Sequence, residues 1–113
     1  MIDDDLDLSK MIQFLLETKG FSVTIANDGA EGLAQVKILL PDLVLLDLNM
    51  PKIGGIEFCH QIRSDAGNHK PRIIILTARA NIEETLRQIE VDGFLTKPFE
   101  IKQLLAEINR VFR

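Results

Sequence analysis

Leu43-Val44-Leu45-Leu46-Asp47 is the stretch on which the fold turns. Four consecutive apolar residues fit a parallel strand covered on both faces rather than a half-exposed one. Asp47 then stands where the strand ends, ahead of a loop of Asn49, Met50, Pro51 and the Gly54-Gly55 pair. The same arrangement recurs. Thr77 follows Ile73-Ile74-Ile75-Leu76, Lys97 follows Gly93-Phe94-Leu95-Thr96, and Asp3-Asp4-Asp5 follow the apolar stub Met1-Ile2. In an open parallel α/β sheet, groups at the carboxyl ends of strands converge on one crevice.

Between these strands the apolar spacing turns helical. Leu8, Ile12 and Leu15, widened by Met11 and Leu16, predict a first helix that Gly20 ends. Phe21, Val23 and Ile25 alternate, which predicts a strand over Phe21 to Ile25. Asp28 with Glu31 reads as an N-cap and its reciprocal partner, opening a helix with Leu33, Val36 and Leu40 on its core face and Pro41 as its stop. A third helix runs from about Ile56 to Ser64, a polar loop covers Asp65 to Pro71, and a buried strand covers Arg72 to Leu76. Asn81 with Glu84 opens a further helix carrying Ile82, Leu86 and Ile89. The last helix, after Pro98, carries Leu104, Ile108 and Val111 on one side. Strands alternating with helices mean a parallel sheet with helices on both faces. No repeat or linker interrupts the pattern, so residues 1–113 read as a single domain.

Composition removes other classes. A net charge of −4 gives no broad basic surface for nucleic acid. Pro41, Asp42 and Asp47 break the most apolar region well short of a membrane span. An acidic start is not a secretory signal. Cys59 is the single cysteine, which excludes an intrachain disulfide or a cysteine-based zinc site. His60 and His69 have no partner at metal-ligand spacing and receive no role. Cytoplasmic placement is the expectation.

Converging carboxylates repel one another and call for a cation. Hard oxygen donors beside a lysine suggest Mg²⁺ together with a phosphoryl group. Asp47 is the candidate nucleophile, since a carboxylate attacking phosphorus forms an acyl phosphate. Asp3 and Asp4 are candidates to hold the metal with Asp47. Lys97 would pair with Asp47 at rest and with the phosphoryl group afterwards, and the Thr77 hydroxyl would donate to a phosphoryl oxygen. Each residue alone has a plainer explanation: a solvated helix start for the aspartates, a turn residue for Asp47, a backbone cap for Thr77, a surface lysine for Lys97, core packing for Phe94. Their joint placement at successive strand ends favours the chemical reading.

These residues carry a resemblance. Asp3-Asp4-Asp5, Leu43 through Pro51 with Gly54-Gly55, Ile75-Leu76-Thr77-Ala78 and Phe94-Leu95-Thr96-Lys97-Pro98-Phe99 resemble, in order and spacing, the receiver domain of two-component response regulators. The resemblance implies a flavodoxin-like doubly wound sheet of strand order 2-1-3-4-5. It implies that Asp47 accepts phosphate from the phosphohistidine of a histidine kinase or phosphotransfer protein. Asp3, Asp4 and Asp47 would place Mg²⁺ with the backbone carbonyl of Asn49. Thr77 and Phe94 would form the switch pair, and Lys97 would bind phosphate, its bond to Pro98 often being cis in this family. The responsive face would comprise the fourth helix, fifth strand and fifth helix, where family members dimerise or meet effectors. Self-phosphorylation and self-dephosphorylation would be the only catalysis.

Two departures from the family pattern stand out. Only Met1 and Ile2 remain of an apolar first strand that is central in the family's sheet. Its absence would leave neighbouring backbone groups unpaired, at roughly 1–3 kcal/mol each, against about 5–15 kcal/mol of total stability. Residues upstream of Met1, another segment or a partner chain would be expected to fill the gap. The stretch from Thr77 to Lys97 is also about two residues short, lacking the usual small-residue pair before Val91-Asp92-Gly93. Two rival functions are a receiver-like adaptor that is never phosphorylated and a Mg²⁺-dependent phosphohydrolase working through an aspartyl phosphate. The latter commonly needs a second aspartate two residues after the nucleophile, where this chain has Asn49.

Overall fold

The computed structural model describes residues 1–3, 5–47, 55–64, 71–77 and 91–112. The helix expected to open at Asn81, and residues Asn49 to Gly54 and Asp65 to Lys70 of the two expected loops, lie outside the described residues.

The three apolar runs form three parallel strands: β1 (Leu43–Asp47), β2 (Arg72–Thr77) and β3 (Gly93–Thr96). They lie in the order β1-β2-β3. The register pairs Leu43 with Arg72 and Asp47 with Leu76, then Ile74 with Gly93 and Thr77 with Thr96. Ile2 extends the sheet beyond β1, bridging Leu46 on one side and Ala26 on the other. Numbered along the chain, the spatial order is therefore 2-1-3-4-5, and the fold is α/β and flavodoxin-like.

Alternation along each strand sorts the core into two layers. Val44, Leu46, Ile73 and Ile75 pack with Leu33, Val36, Phe58, Cys59 and Ile62, which belong to α2 (Gly29–Leu39) and α3 (Gly55–Ser64). Leu45, Ile74 and Leu76 pack with Ile12, Leu16, Leu104, Ile108 and Val111, which belong to α1 (Leu6–Glu17) and α4 (Ile101–Val111). Ile73, Ile74, Ile75 and Leu76 are completely buried. At about 1.5–3 kcal/mol for each such side chain, β2 is the strand that anchors the sheet and hence the site at its end.

Local chemistry sets the helix starts. Asp5 caps α1 by accepting from the Leu8 N–H at 3.1 Å. Asp28 caps α2 by accepting from the Glu31 N–H at 2.9 Å. The reciprocal bond of Glu31 goes to the Asn27 N–H rather than to that of Asp28. No helix among the described residues is long and apolar enough to cross a membrane.

Three expectations need correction. Phe21 to Ile25 is not a strand; only Ala26 makes a bridge, to Ile2. Its alternating pattern suits pairing; the backbone bonds present there join Met1 and Asp3 to Thr24 and Ala26. Leu40 is exposed rather than part of the core face of α2, because it takes a left-handed conformation (φ 49°) that turns the chain toward Pro41. Met11 is exposed too, whereas Ile12 and Leu16 are buried and Leu8 packs against the core, as expected; Ser9 joins the buried stripe of α1.

Candidate functional site

Asp3 and Asp47 reach the site by a shared backbone device. The Ile2 N–H donates to the Leu45 carbonyl at 2.7 Å, and the Asp47 N–H donates to the Ile2 carbonyl at 3.0 Å. On the other flank, the Asp3 N–H donates to the Ala26 carbonyl at 3.2 Å. Ile2 is thus held from both sides, and the residue after it is delivered beside the end of β1. Asp3 is fully buried, and Asp47 nearly so.

Lys97, just past β3, closes the group. Its ammonium donates to Asp3 Oδ2 at 2.8 Å and lies 3.8 Å from Asp47 Oδ2. The Lys97 N–H donates to the Thr77 carbonyl at 2.6 Å, which ties the lysine's backbone to the end of β2. The Lys97–Pro98 bond is cis. Asp3 Oδ1 also accepts from the Asp5 N–H at 2.9 Å, so the residue capping α1 helps fix the buried carboxylate. Thr77 is fully buried at the end of β2, one step beyond the Leu76 that pairs with Asp47.

The structure therefore brings together Asp3, Asp47 and Lys97, with Thr77 on the adjacent strand end. Lys97 is not the surface lysine of the plainer reading. Asp4 and Asn49 lie outside the described residues. Phe94 is 44% exposed, which corrects the core-packing reading of it: among the described residues its ring belongs to neither layer of the core.

Among the described residues, two carboxylates meet one ammonium in a poorly solvated crevice. Like charges so placed favour a further cation, and the donors are all oxygen, the set that a hard ion such as Mg²⁺ prefers. The donor chemistry fits that ion. Among the described residues no three His, Cys, Asp or Glu side chains form a metal-binding group, so a carboxylate ligand beyond Asp3 and Asp47 would have to come from outside them.

A second polar cluster escaped the sequence reading. Glu107 on α4 accepts from the Phe94 N–H at 3.0 Å and is bound by Arg110, whose Nη2 also donates to the Asp92 carbonyl at 2.8 Å. A Cβ at Gly93 would lie 2.6 Å from Glu107 Oε2 and 2.9 Å from Arg110 Nη2, so the ends of these two side chains lie directly over the glycine. The Arg110 hydrogen bond, assisted by the Phe94 amide, holds the Glu107 carboxyl below its usual range. Asp92 turns the other way, accepting from the Ile73 N–H at 2.8 Å and pairing with Arg63 of α3 at 3.3 Å. The i, i+3 spacing of Glu107 and Arg110 was the available signal; their reach across to β3 was not.

Against known proteins, residues 1–109 match the response regulator receiver domain family. The DNA-binding response regulator MtrA of Mycolicibacterium paratuberculosis is 36% identical over 100% of this chain and 50% of its own length. The response regulator MprA of Mycobacterium leprae is 39% identical over 99% of this chain and 49% of its own length. The chain spans about half the length of these curated relatives. Among solved structures, the Vibrio cholerae chemotaxis protein CheY4 superposes with a TM-score of 0.89 at 30% identity, covering 97% of this chain and 93% of that one. The Thermotoga maritima response regulator TrrA, solved in complex with Mg²⁺-BeF, gives a TM-score of 0.85 at 26% identity, over 97% and 94%.

Proposed function

The chain belongs to the response regulator receiver domain family, phosphoacceptor switches of two-component systems, and we propose that Asp47 is its acceptor. The observation that carries this is the meeting of Asp47 with Asp3 and Lys97 at the carboxyl end of the sheet. An Asp47 oxygen attacks the phosphorus of a phosphohistidine on a histidine kinase or phosphotransfer protein. The new O–P bond forms as the P–N bond breaks, and the imidazole leaves with the electron pair and takes up a proton.

Such a transfer needs positioning and charge neutralisation more than covalent help. Lys97 supplies a fixed positive charge, and Thr77 a hydroxyl at the adjacent strand end to donate to a phosphoryl oxygen. Asp3, Asp4, Asp47 and the Asn49 carbonyl would hold Mg²⁺. When bound, that ion supplies neutralisation of the phosphoryl oxygens. The same arrangement supports slow self-phosphorylation from small donors and slow hydrolysis, with no turnover of a separate substrate. A phosphohydrolase reading is disfavoured because Asn49 stands where its general acid would be.

The acyl phosphate shifts a pre-existing two-state equilibrium. In this reading the Thr77 hydroxyl moves toward the phosphoryl group and the exposed Phe94 ring turns inward. The responsive face is then β3, α4 and the segment from Asn81, the place for a homodimer or an effector. The chain itself does not contact nucleic acid in this account and works in the cytoplasm, where histidine kinases present their phosphohistidine. Beryllofluoride with Mg²⁺, a phosphoryl mimic, tests this. Shifts of the Thr77 and Phe94 NMR signals are expected. Unchanged signals at saturating mimic would turn the protein into an adaptor, and rapid turnover of phosphomonoesters would turn it into a hydrolase.

A further inference from the structure

Among the described residues β3 is the outer strand of the sheet, paired with β2 alone. Parallel strands bond through alternate residues on each side. The Lys97 N–H faces β2, where it donates to the Thr77 carbonyl. By alternation Gly93 and Leu95 share that direction, and the backbone of Phe94 faces away. The Phe94 N–H therefore points off the edge of the sheet, and Glu107 Oε2 meets it there at 3.0 Å. The residue read above as the switch aromatic has its amide held by α4 and not by its own sheet.

The hold is firm. The Glu107 side chain is only 15% exposed, and a hydrogen bond to an ionised acceptor is roughly twice as strong as a neutral one. Arg110 binds both Glu107 oxygens, Nε to Oε1 and Nη2 to Oε2, while its Nη2 also donates to the Asp92 carbonyl. α4 thus grips two successive outward groups of the chain at the edge, with an acceptor for the Phe94 N–H and a donor for the Asp92 carbonyl. The side chain of Asp92 is fixed in turn by the Ile73 N–H and by Arg63 of α3. Leu95 packs toward the layer of α1 and α4, so by alternation the Phe94 side chain leaves the sheet on the opposite face. The clamp acts on the Phe94 backbone and leaves the exposed ring unobstructed.

We propose that Glu107 is a positioning residue for the switch: through the Phe94 N–H it holds the edge of β3 in the ring-out arrangement, with Arg110 as its lock. This rests on the reading of Thr77 and Phe94 as the switch pair. A contact moves a two-state equilibrium only by the difference it makes between the states. The clamp is made with the ring outside, and the inward turn draws the Phe94 backbone toward β2 and away from the Glu107 carboxylate. Loosening the clamp therefore favours the ring-in state that the phosphoryl group selects.

The test titrates the parent chain, Glu107→Ala, Glu107→Gln and Gly93→Ala with beryllofluoride in excess Mg²⁺. Phe94 ring NMR signals give the midpoint, and Tm is measured alongside without the mimic. Glu107→Ala should bind the mimic at least about threefold more tightly than the parent. Glu107→Gln keeps an acceptor for the amide but loses the charge that Arg110 locks, and its midpoint should lie between the two. Gly93→Ala keeps both charged groups and displaces their ends, so it should shift the midpoint in the same direction. An edge cap with a purely structural role would lower Tm and leave the midpoints equal. Equal midpoints, or weaker binding in Glu107→Ala and Gly93→Ala, would overturn the proposal while the switch reading stands. Phe94 signals that stay still in the saturated parent would overturn both.

Discussion

Lys97 sits 2.8 Å from Asp3 and 3.8 Å from Asp47, so the lysine is anchored on the amino-terminal carboxylate and only loosely paired with the carboxylate at the end of β1. The sequence alone had paired Lys97 with Asp47 at rest. The geometry gives that pairing a second place, and it makes Asp3 the residue that holds the cation ready.

Breaking this anchor has a defined cost. Lys97→Ala leaves Asp3, whose side chain is 1% exposed, buried without its ammonium. Removing one partner of a buried pair typically costs about 3–5 kcal/mol. Urea denaturation should show a loss of that order, and Mg²⁺ should return more stability to the variant than it adds to the parent. A loss under about 1 kcal/mol would mean that the pair is solvated in solution.

Gly32 is a position where two effects oppose. Ala in a helix interior gains about 1 kcal/mol over Gly, but its Cβ would press into the side chain of Ile2 and lie 3.3 Å from Phe58. Overpacking costs about 1–3 kcal/mol, so Gly32→Ala should lower stability by about 1 kcal/mol. Trimming the neighbour with Ile2→Val should make the substitution less harmful, and a double-mutant cycle read by denaturation checks the sign.

Cys59 is fully buried on α3, and burial pushes its thiol up to about 11. Since the thiolate is the reactive form, the native protein at pH 8 should react with a disulfide reagent at least about 100-fold more slowly than the urea-unfolded chain. Comparable rates would show that the layer between α3 and the sheet opens readily.

The Glu107 carboxyl, lowered by Arg110 and the Phe94 amide, gives a pH signature. A group depressed in the folded state stabilises above its ordinary value, and the contribution is lost as pH falls through the folded value. Stability should therefore decline on the acid side, below the ordinary glutamate range, and Glu107→Gln should flatten that part of the profile. The Phe94 amide proton should titrate with it. A titration measured above the ordinary glutamate value would contradict the clamp.

How much of this was legible in the sequence varies with the physics involved. The runs ending at Asp47 and Thr77 are apolar on both faces, the pattern of a covered parallel strand, so those strands were readable; Gly93–Thr96, with Phe94 and Thr96 exposed, carries no such pattern. The helix carrying Leu104, Ile108 and Val111 was equally plain from its spacing. Phe21 to Ile25 has the alternation of a strand, yet whether it forms one depends on a neighbour, and pairing partners are not a local property. Leu40 fits the helical period but is spent on a left-handed turn. At the site, convergence of Asp3, Asp47 and Lys97 followed from topology once the strand ends were seen. The exposure of Phe94 and the hold of Glu107 on its amide depend on tertiary packing across α4, which spacing does not encode.

Acetyl phosphate with Mg²⁺, followed by intact-mass measurement, tests the central claim most directly. The protein should gain one phosphoryl group, labile to hydroxylamine as an acyl phosphate is, and Asp47→Asn should gain none. Undiminished incorporation in Asp47→Asn, at the same stoichiometry, would contradict the assignment of the acceptor.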